Sequence, residues 1–261
     1  MTTLTHNRTS LVLGGFSPTF LGLEIKRLVR NRRTVVFTLV MPPVFFVIFG
    51  TQSDFTSNYA FAQGNVTAFV AISMAVYGAM LAATSGGAMV SVERAQGWSR
   101  QLRLTPLRPV AYIVTKMIVA MTMGLASVLV VFAVAAGFGA DMPIWVWVSS
   151  GIIAWLGSSV FAAFGLFMGY LLPSENVMQI LGPVLAVLAF AGGLFVPLAD
   201  SGWFADIAKF TPLYGLATVA RAPFTEPSFG TLVVAVINLV VWAGLFIAGA
   251  AVLFRRDTKR V

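Results

Sequence analysis

The chain contains no cysteine and a single histidine. Without thiols it has no disulfide, no thiolate metal site and no cysteine nucleophile, and its redox compartment stays open. His6 lies in the polar start MTTLTHNRTS, where a solvated tail residue is expected, so serine-histidine chemistry lacks its base. A phosphate-cradling Gly-x-x-x-x-Gly-Lys-Ser/Thr stretch is also missing. The doublets Gly86-Gly87 and Gly192-Gly193 carry no lysine and lie in or beside apolar runs, where close packing explains them better. Charge is scarce, at 10% of residues. The nine acids, Glu24, Asp54, Glu93, Asp141, Glu175, Asp200, Asp206, Glu226 and Asp257, fall at the ends of apolar runs or between them. Paired carboxylates for acid–base work or for metal are therefore not apparent.

What is abundant is hydrocarbon. Apolar residues make up 58% of 261, and the mean hydropathy is +0.89, beyond ordinary soluble usage. A bilayer-spanning helix needs about 20 mostly apolar residues, and six stretches qualify: Thr34–Gly50, Val66–Val90, Met117–Phe138, Ile144–Leu172, Val177–Phe195 and Leu232–Phe254. Pro42 and Pro43 interrupt the first, which predicts a kink that neighbouring helices must cover. Gly165 and Gly169 form a GxxxG in the fourth, a weak signal of helix contact in a chain with 24 glycines.

The net charge of +8 is distributed by side, which points to a membrane and not to nucleic acid. Lys26, Arg27, Arg30 and three further arginines precede the first span, four arginines lie between the second and third, Lys116 flanks the third, and four basic residues end the chain. The alternate loops hold only Lys209 and Arg221. The positive-inside rule then places both termini in the cytoplasm. Trp145, Trp147 and Trp203 fall near the outer interface, with Trp98, Tyr112 and Tyr170 near the inner one, as amphipathic rings prefer. No compact apolar region with a small-residue cleavage site begins the chain, so a cleavable signal is not expected.

The expected organisation is a flexible tail over 1–15, an interfacial helix over 16–33, a six-helix domain over 34–254 and a basic tail over 255–261. In the interfacial helix Leu21, Ile25, Leu28 and Val29 share one face, with Lys26, Arg27 and Arg30 on another. An ordinary solvated helix is the competing reading. Between the last two spans, Pro and Gly interleaved with apolar residues predict short helices dipping into the outer interface, as an exit gate or as a packed cap.

The charged run ERAQGWSRQLRLTPLRP, Glu93 to Pro109, stands between two of the most apolar stretches. Trp98, Leu102 and Leu104 would anchor a short helix, Arg94, Arg100, Arg103 and Arg108 would face phospholipid heads or an acidic partner, and Pro106 and Pro109 would end it. A solvated loop is the alternative on these grounds alone. The longer run SVERAQGWSRQLRLTPLRPVAYIVTK resembles the cytoplasmic loop of type-2 ATP-binding-cassette (ABC) exporter permeases. Glu93, Arg94, Gly97, Leu102, Thr105, Pro106 and Lys116 occupy the places of that pattern, and the topology is similar over nearly the whole chain. Ala95 and Trp98 stand where the pattern often has an acid and a threonine, and the Gly-Trp form is similar to the daunorubicin-resistance-like branch.

The resemblance implies an all-α membrane protein with six transmembrane helices, an N-terminal interfacial helix, a cytoplasmic coupling helix and short outer helices before the last span. It implies a multi-pass permease of the bacterial plasma membrane with no catalytic residues. Two copies or paralogues would pair, each docking one separate ATPase that carries ATP and Mg, and the cargo would be an amphipathic small molecule such as a drug or antibiotic. Glu93, Arg94, Gly97, Trp98, Arg100, Leu102, Thr105 and Pro106 would couple the ATPase to the spans; cofactor and metal sites on this chain are not expected. Export of a glycan, lipid or other envelope precursor stays open. A secondary transporter is disfavoured because such proteins place ionisable groups inside their spans, and an anchor or assembly subunit because of the elaborated outer loop.

Overall fold

In a computed structural model, the chain is described over residues 18–51, 61, 63–97, 109–195 and 202–259. The order is α1 (Pro18–Arg30), α2 (Arg32–Val35), a π-helical turn (Val36–Val40), α3 (Met41–Gly50), α4 (Val66–Ala95), α5 (Pro109–Gly137), α6 (Ile144–Gly157), α7 (Ser159–Leu171), α8 (Ser174–Ala191), α9 (Trp203–Ala208), α10 (Pro212–Thr225) and α11 (Phe229–Lys259). No β-strand occurs among the described residues, and the protein is an all-α membrane protein. Among the described residues, five helical stretches are long and apolar enough to cross a bilayer: Val66–Ala95, Ala111–Gly137, Ile144–Leu171, Ser174–Ala191 and Phe229–Arg256. The first expected span is a shorter apolar helix, Val36–Gly50. Joined to α2 it runs about 28 Å at about 1.5 Å per residue, close to the hydrocarbon thickness of about 30 Å.

Helix α4 is the core. A helix apolar on every side belongs in the middle of a bundle, and from Val66 to Val90 nearly every side chain of α4 is buried. Its small residues let the neighbours come to backbone distance. A Cβ on Gly86 would collide with Ala120 of α5, and one on Gly87 with the Ala162 carbonyl of α7. From the other side, a Cβ on Gly165 would strike the Thr84 carbonyl, and one on Gly169 would sit 3.2 Å from the Ala88 carbonyl. The GxxxG pair is thus a contact inside this chain, against α4. At the far edge, α11 exposes Val233, Ile237, Val240 and Val241, a face suited to lipid.

The double proline is accommodated by geometry and by one hydroxyl. Pro42 and Pro43 occupy the first turn of α3, where a missing N–H is tolerated, and the preceding turn widens so that the Met41 N–H bonds the Val36 carbonyl. Pro42 still leaves the Thr38 carbonyl, four residues back, without its helical donor. Ser127 of α5 donates its hydroxyl to that carbonyl at 2.7 Å. Gly78 of α4 makes room for the arrangement, since a Cβ there would collide with Ser127 Oγ and lie 3.0 Å from Pro42.

The fourth expected span is a single crossing broken at Ser158 into α6 and α7. A Cβ on Gly157 would collide with Leu216 of α10, so the break lies where α10 presses in. One turn before the break, Trp155 ties α6 to α5 by donating Nε1–H to the Met121 carbonyl at 2.8 Å. The segment before the last span forms α9 and α10, as its composition predicts. Helix α10 does more than dip: Leu213, Leu216, Ala217, Ala220 and Phe224 are buried against α4, α6 and α11. At this end of the bundle, Asn65 accepts from the Ala68 N–H to cap α4 and donates to the Gly139 carbonyl at 2.7 Å.

Replacing Ser127 with alanine should lower stability by about 1–3 kcal/mol, because a buried carbonyl loses its donor. In a Pro42→Ala background, which restores an N–H, the same change should cost clearly less. Thermal unfolding of the four purified variants reads this difference.

Candidate functional site

The end of the bundle opposite Asn65 gathers charges from three helices. Helix α1 turns toward the bundle through Glu24, which lies one turn from both Leu21 and Leu28 and so shares their face. It is the one buried residue of α1. Helix α4 continues past its apolar stretch to Ala95, so Glu93 rides its last turn with its side chain 3% exposed. Helix α5 begins at Pro109, a position suited to proline, and brings Tyr112 and Lys116 one turn apart onto the same face.

Lys116 sits between the two carboxylates. Its Nζ is 2.5 Å from Glu24 Oε2 and 2.5 Å from Glu93 Oε1. Arg27 approaches Glu93 Oε1 at 3.2 Å and Glu24 Oε1 at 3.9 Å, and the Tyr112 hydroxyl donates to Glu93 Oε2. The Lys116 ammonium also lies 5.5 Å from the Tyr112 ring centre. Every buried charge here therefore has an opposite charge and a hydrogen bond, the condition under which burial is tolerated.

Next in sequence, Arg94 reaches α7. It donates from Nη1 to the Gly169 and Tyr170 carbonyls, both at 3.2 Å, and lies 5.4 Å from the Tyr170 ring centre. Those carbonyls belong to the last turn of α7, where a cation offsets the helix dipole. Helix α4 stops at Gly97, whose φ of +72° suits glycine and whose N–H bonds the Arg94 carbonyl at 3.0 Å.

These contacts add to the sequence reading. Arg94, which the sequence reading turned toward phospholipid heads or an acidic partner, gives its Nη1 to the α7 carbonyls. Glu93 and Lys116, expected at the ends of their apolar runs, lie within helices longer than those runs, and Glu24 joins them from α1. Of the other expected site residues, Lys26 and Arg30 are exposed on α1. Trp98, Arg100, Leu102, Thr105 and Pro106 lie outside the described residues. Glu24 and Tyr112 were missed as partners. The available signal was a lone acid on an apolar face and a lone lysine eight residues after Arg108.

A second buried cation lies at the opposite end. Arg221 of α10 donates from Nε and Nη2 to Ser73 Oγ of α4, at 3.1 and 2.6 Å, and from Nη2 to the Gly193 carbonyl at 2.7 Å. It stacks 4.3 Å from the Phe69 ring centre. Burial pushes its pKa down to about 9, which leaves it cationic at neutral pH. Arg221 pins the outer helix to the core, with dipoles and a ring as its partners.

The sequence pattern of the family described as ABC-2 type transporter matches residues 19–225, which takes in α1 through α10 and both buried cations. A protein of Bacillus subtilis (strain 168) named "Putative transport permease YvfS" is 31% identical over 181 residues, covering 67% of this chain and 71% of that protein.

Removing Lys116 should be costly because it leaves two facing carboxylates without their shared cation. Lys116→Met is expected to destabilise the protein by about 3–5 kcal/mol. Adding Glu24→Gln and Glu93→Gln to it should recover most of that loss, since the uncompensated charge is then gone. Thermal unfolding in detergent, with yield of folded protein as a second readout, measures both.

Proposed function

The chain belongs to the ABC-2 type transporter family and is the membrane permease of an ABC transporter; from that premise we propose that it works as one half of an exporter driven by a separate ATPase. The observation that carries this reading is the tie between α1, α4 and α5 through Glu24, Lys116 and Glu93. The segment 98–108 lies between the ends of α4 and α5, so a force applied to it reaches two helices whose bases are fixed to each other and to α1. Arg94 extends the same tie to α7. Because α4 packs along α5 and α7 with backbone-close contacts, a tilt at its base has to be shared by the bundle. Packed cores of this kind switch between discrete arrangements and do not deform continuously.

In this reading Trp98, Arg100, Leu102, Thr105 and Pro106 meet the ATPase, while Glu93 and Arg94 hold the base against which the segment pushes. ATP and Mg belong to the partner, and the chain's sequence offers no phosphate loop of its own. Two permeases, identical or paralogous, pair in the bacterial plasma membrane with their basic ends and termini in the cytoplasm. The cargo is an amphipathic small molecule of the drug or antibiotic kind, a choice supported by the apolar character of the spans and by the family resemblance. A lipid or glycan precursor would suit the same apolar spans.

A tagged permease solubilised in mild detergent should bring down an ATPase subunit. A variant with residues 96–107 scrambled should insert normally and lose that subunit by at least about tenfold. Equal recovery from both would place the docking surface elsewhere, and no ATPase with either under several detergents would remove the coupled reading.

A further inference from the structure

Arg221 is buried without an opposite charge. Lys116, Glu24 and Glu93 have theirs beside them, whereas among the described residues no carboxylate pairs with Arg221, which is 8% exposed. Its acceptors, Ser73 Oγ and the Gly193 carbonyl, are neutral and lie on Nε and Nη2. Its Nη1 has no acceptor among the described residues. A buried guanidinium with spare donors and no counter-ion is a match for an anion.

The surroundings narrow the kind of anion. Phe69, Ser73 and Tyr77 follow at one-turn spacing and share a face of α4, and the Tyr77 side chain leans toward the turn that holds Ser73. Its hydroxyl has no hydrogen-bond partner among the described residues. The fully enclosed polar side-chain atoms without a partner are Thr84 Oγ1, Ser150 Oγ and Asn238 Oδ1 among those residues, so Arg221 Nη1 and the Tyr77 hydroxyl both reach a surface of the chain. Phe45 and Phe195 stand 5.9 and 5.4 Å from the Tyr77 ring centre, and Phe49 and Phe190 stand 5.5 and 4.7 Å from Phe195. Phe195 follows two residues after the Gly193 carbonyl that holds Arg221. The levels of the helices agree. A Cβ on Gly50 would lie 3.4 Å from Val70, and one on Gly78 would lie 3.0 Å from Pro42, so Phe45 and Phe49 of α3 stand at the height where α4 carries Ser73 and Tyr77. Phe190 of α8 is 57% exposed, which opens the ring cluster on that side.

We propose that Arg221, the Tyr77 hydroxyl and the rings of Phe45, Phe49, Phe190 and Phe195 form a cargo site for an amphipathic anion, an aromatic ring system carrying a carboxylate. The acid accepts from Arg221 Nη1 and from the Tyr77 hydroxyl, as charge-assisted hydrogen bonds, and the ring packs among the phenylalanines. A neutral acyl chain or a second copy of this chain would cover the rings and still leave Arg221 without its counter-ion. The inference rests on the exporter reading and narrows its cargo to aromatic acids.

Binding of radiolabelled 2-naphthoate to the full chain in phosphatidylcholine nanodiscs, without any ATPase, tests the site. Unlabelled 2-naphthamide and 2-naphthylmethylammonium, which share the ring and differ in charge, serve as competitors. We expect saturable naphthoate binding, with both competitors weaker by at least about tenfold. Arg221→Gln should abolish the preference for the acid, and Arg221→Lys should keep most of it. Because Arg221 also holds α10, Tyr77→Phe and Phe190→Ala give an independent reading: each should weaken binding about fivefold or more with an unchanged Tm. Phe210→Ala, at a ring 78% exposed and outside the cluster, should leave binding intact. The proposal is overturned if naphthoate shows no saturable binding, if the amide or the ammonium binds as well, or if Phe190→Ala and Phe210→Ala act alike. It is likewise overturned if a second copy covers Phe190 and no naphthoate is bound. An ATPase recovered with the permease but no naphthoate binding removes this site alone, whereas naphthoate binding with no ATPase recovered removes the coupled reading alone.

Discussion

One ammonium group between two carboxylates organises the basic end of this protein. Lys116 is buried among apolar helices at a depth where a lone charge would be prohibitive, and so are Glu24 and Glu93. Each is tolerable only because the other two are present. That mutual dependence fixes the rotation of α1 about its axis, the height of α5 against α4, and the place where the chain can leave the bundle between them. An apolar contact could slide by a turn at little cost, whereas a charged one cannot, since a slip would strand three ions. The cluster therefore acts as a register pin more than as a source of net stability.

Away from that pin the structure relies on close approach of backbones. Lipid tails are as apolar as leucine, so helices in a bilayer associate through fit and through buried hydrogen bonds. Gly78, Gly86 and Gly87 on α4, with Gly165 and Gly169 on α7, supply the fit. Ser127, Trp155 and Arg221 supply the bonds: Ser127 closes a carbonyl left open by a proline, Arg221 one in a turn, and Trp155 ties α6 to a carbonyl of α5. The two kinds of contact complement each other. Small residues bring the helices near enough for short side chains to reach a neighbour's backbone, and those polar bonds then fix direction.

On the proposed reading, the loop between α4 and α5 receives its force from a separate ATPase, and the base beside it is rigid. The ends of α1, α4, α5 and α7 are tied together there by Glu24, Lys116, Glu93 and Arg94. At the far end Arg221 holds α10 to α4 through neutral acceptors, a weaker attachment than an ion pair. One end of the bundle is thus held by ion pairs and the other by a cation on neutral acceptors.

Much of this was legible in the residues. Apolar runs of the right length set the helix count to within the one short first helix, and the Pro42–Pro43 pair marked where a neighbour would have to help. Composition marked the outer helices, and the loop pattern marked the family, because hydropathy and turn chemistry are local properties. Pairings were not legible. That Ser127 would meet Thr38, or that Glu24, Glu93 and Lys116 would share one site, depends on helix rotation and on contacts between residues far apart in sequence. A window that ends a span where hydrophobicity falls will also end it too early, which is why Glu93 and Lys116 read as loop and flank. The sequence by itself determined that this chain lives in a bilayer, as helices, with a charged loop of a known kind. Only the tertiary structure decided which charges are buried together, because the cost of burying an ion is settled by partners that the fold brings to it.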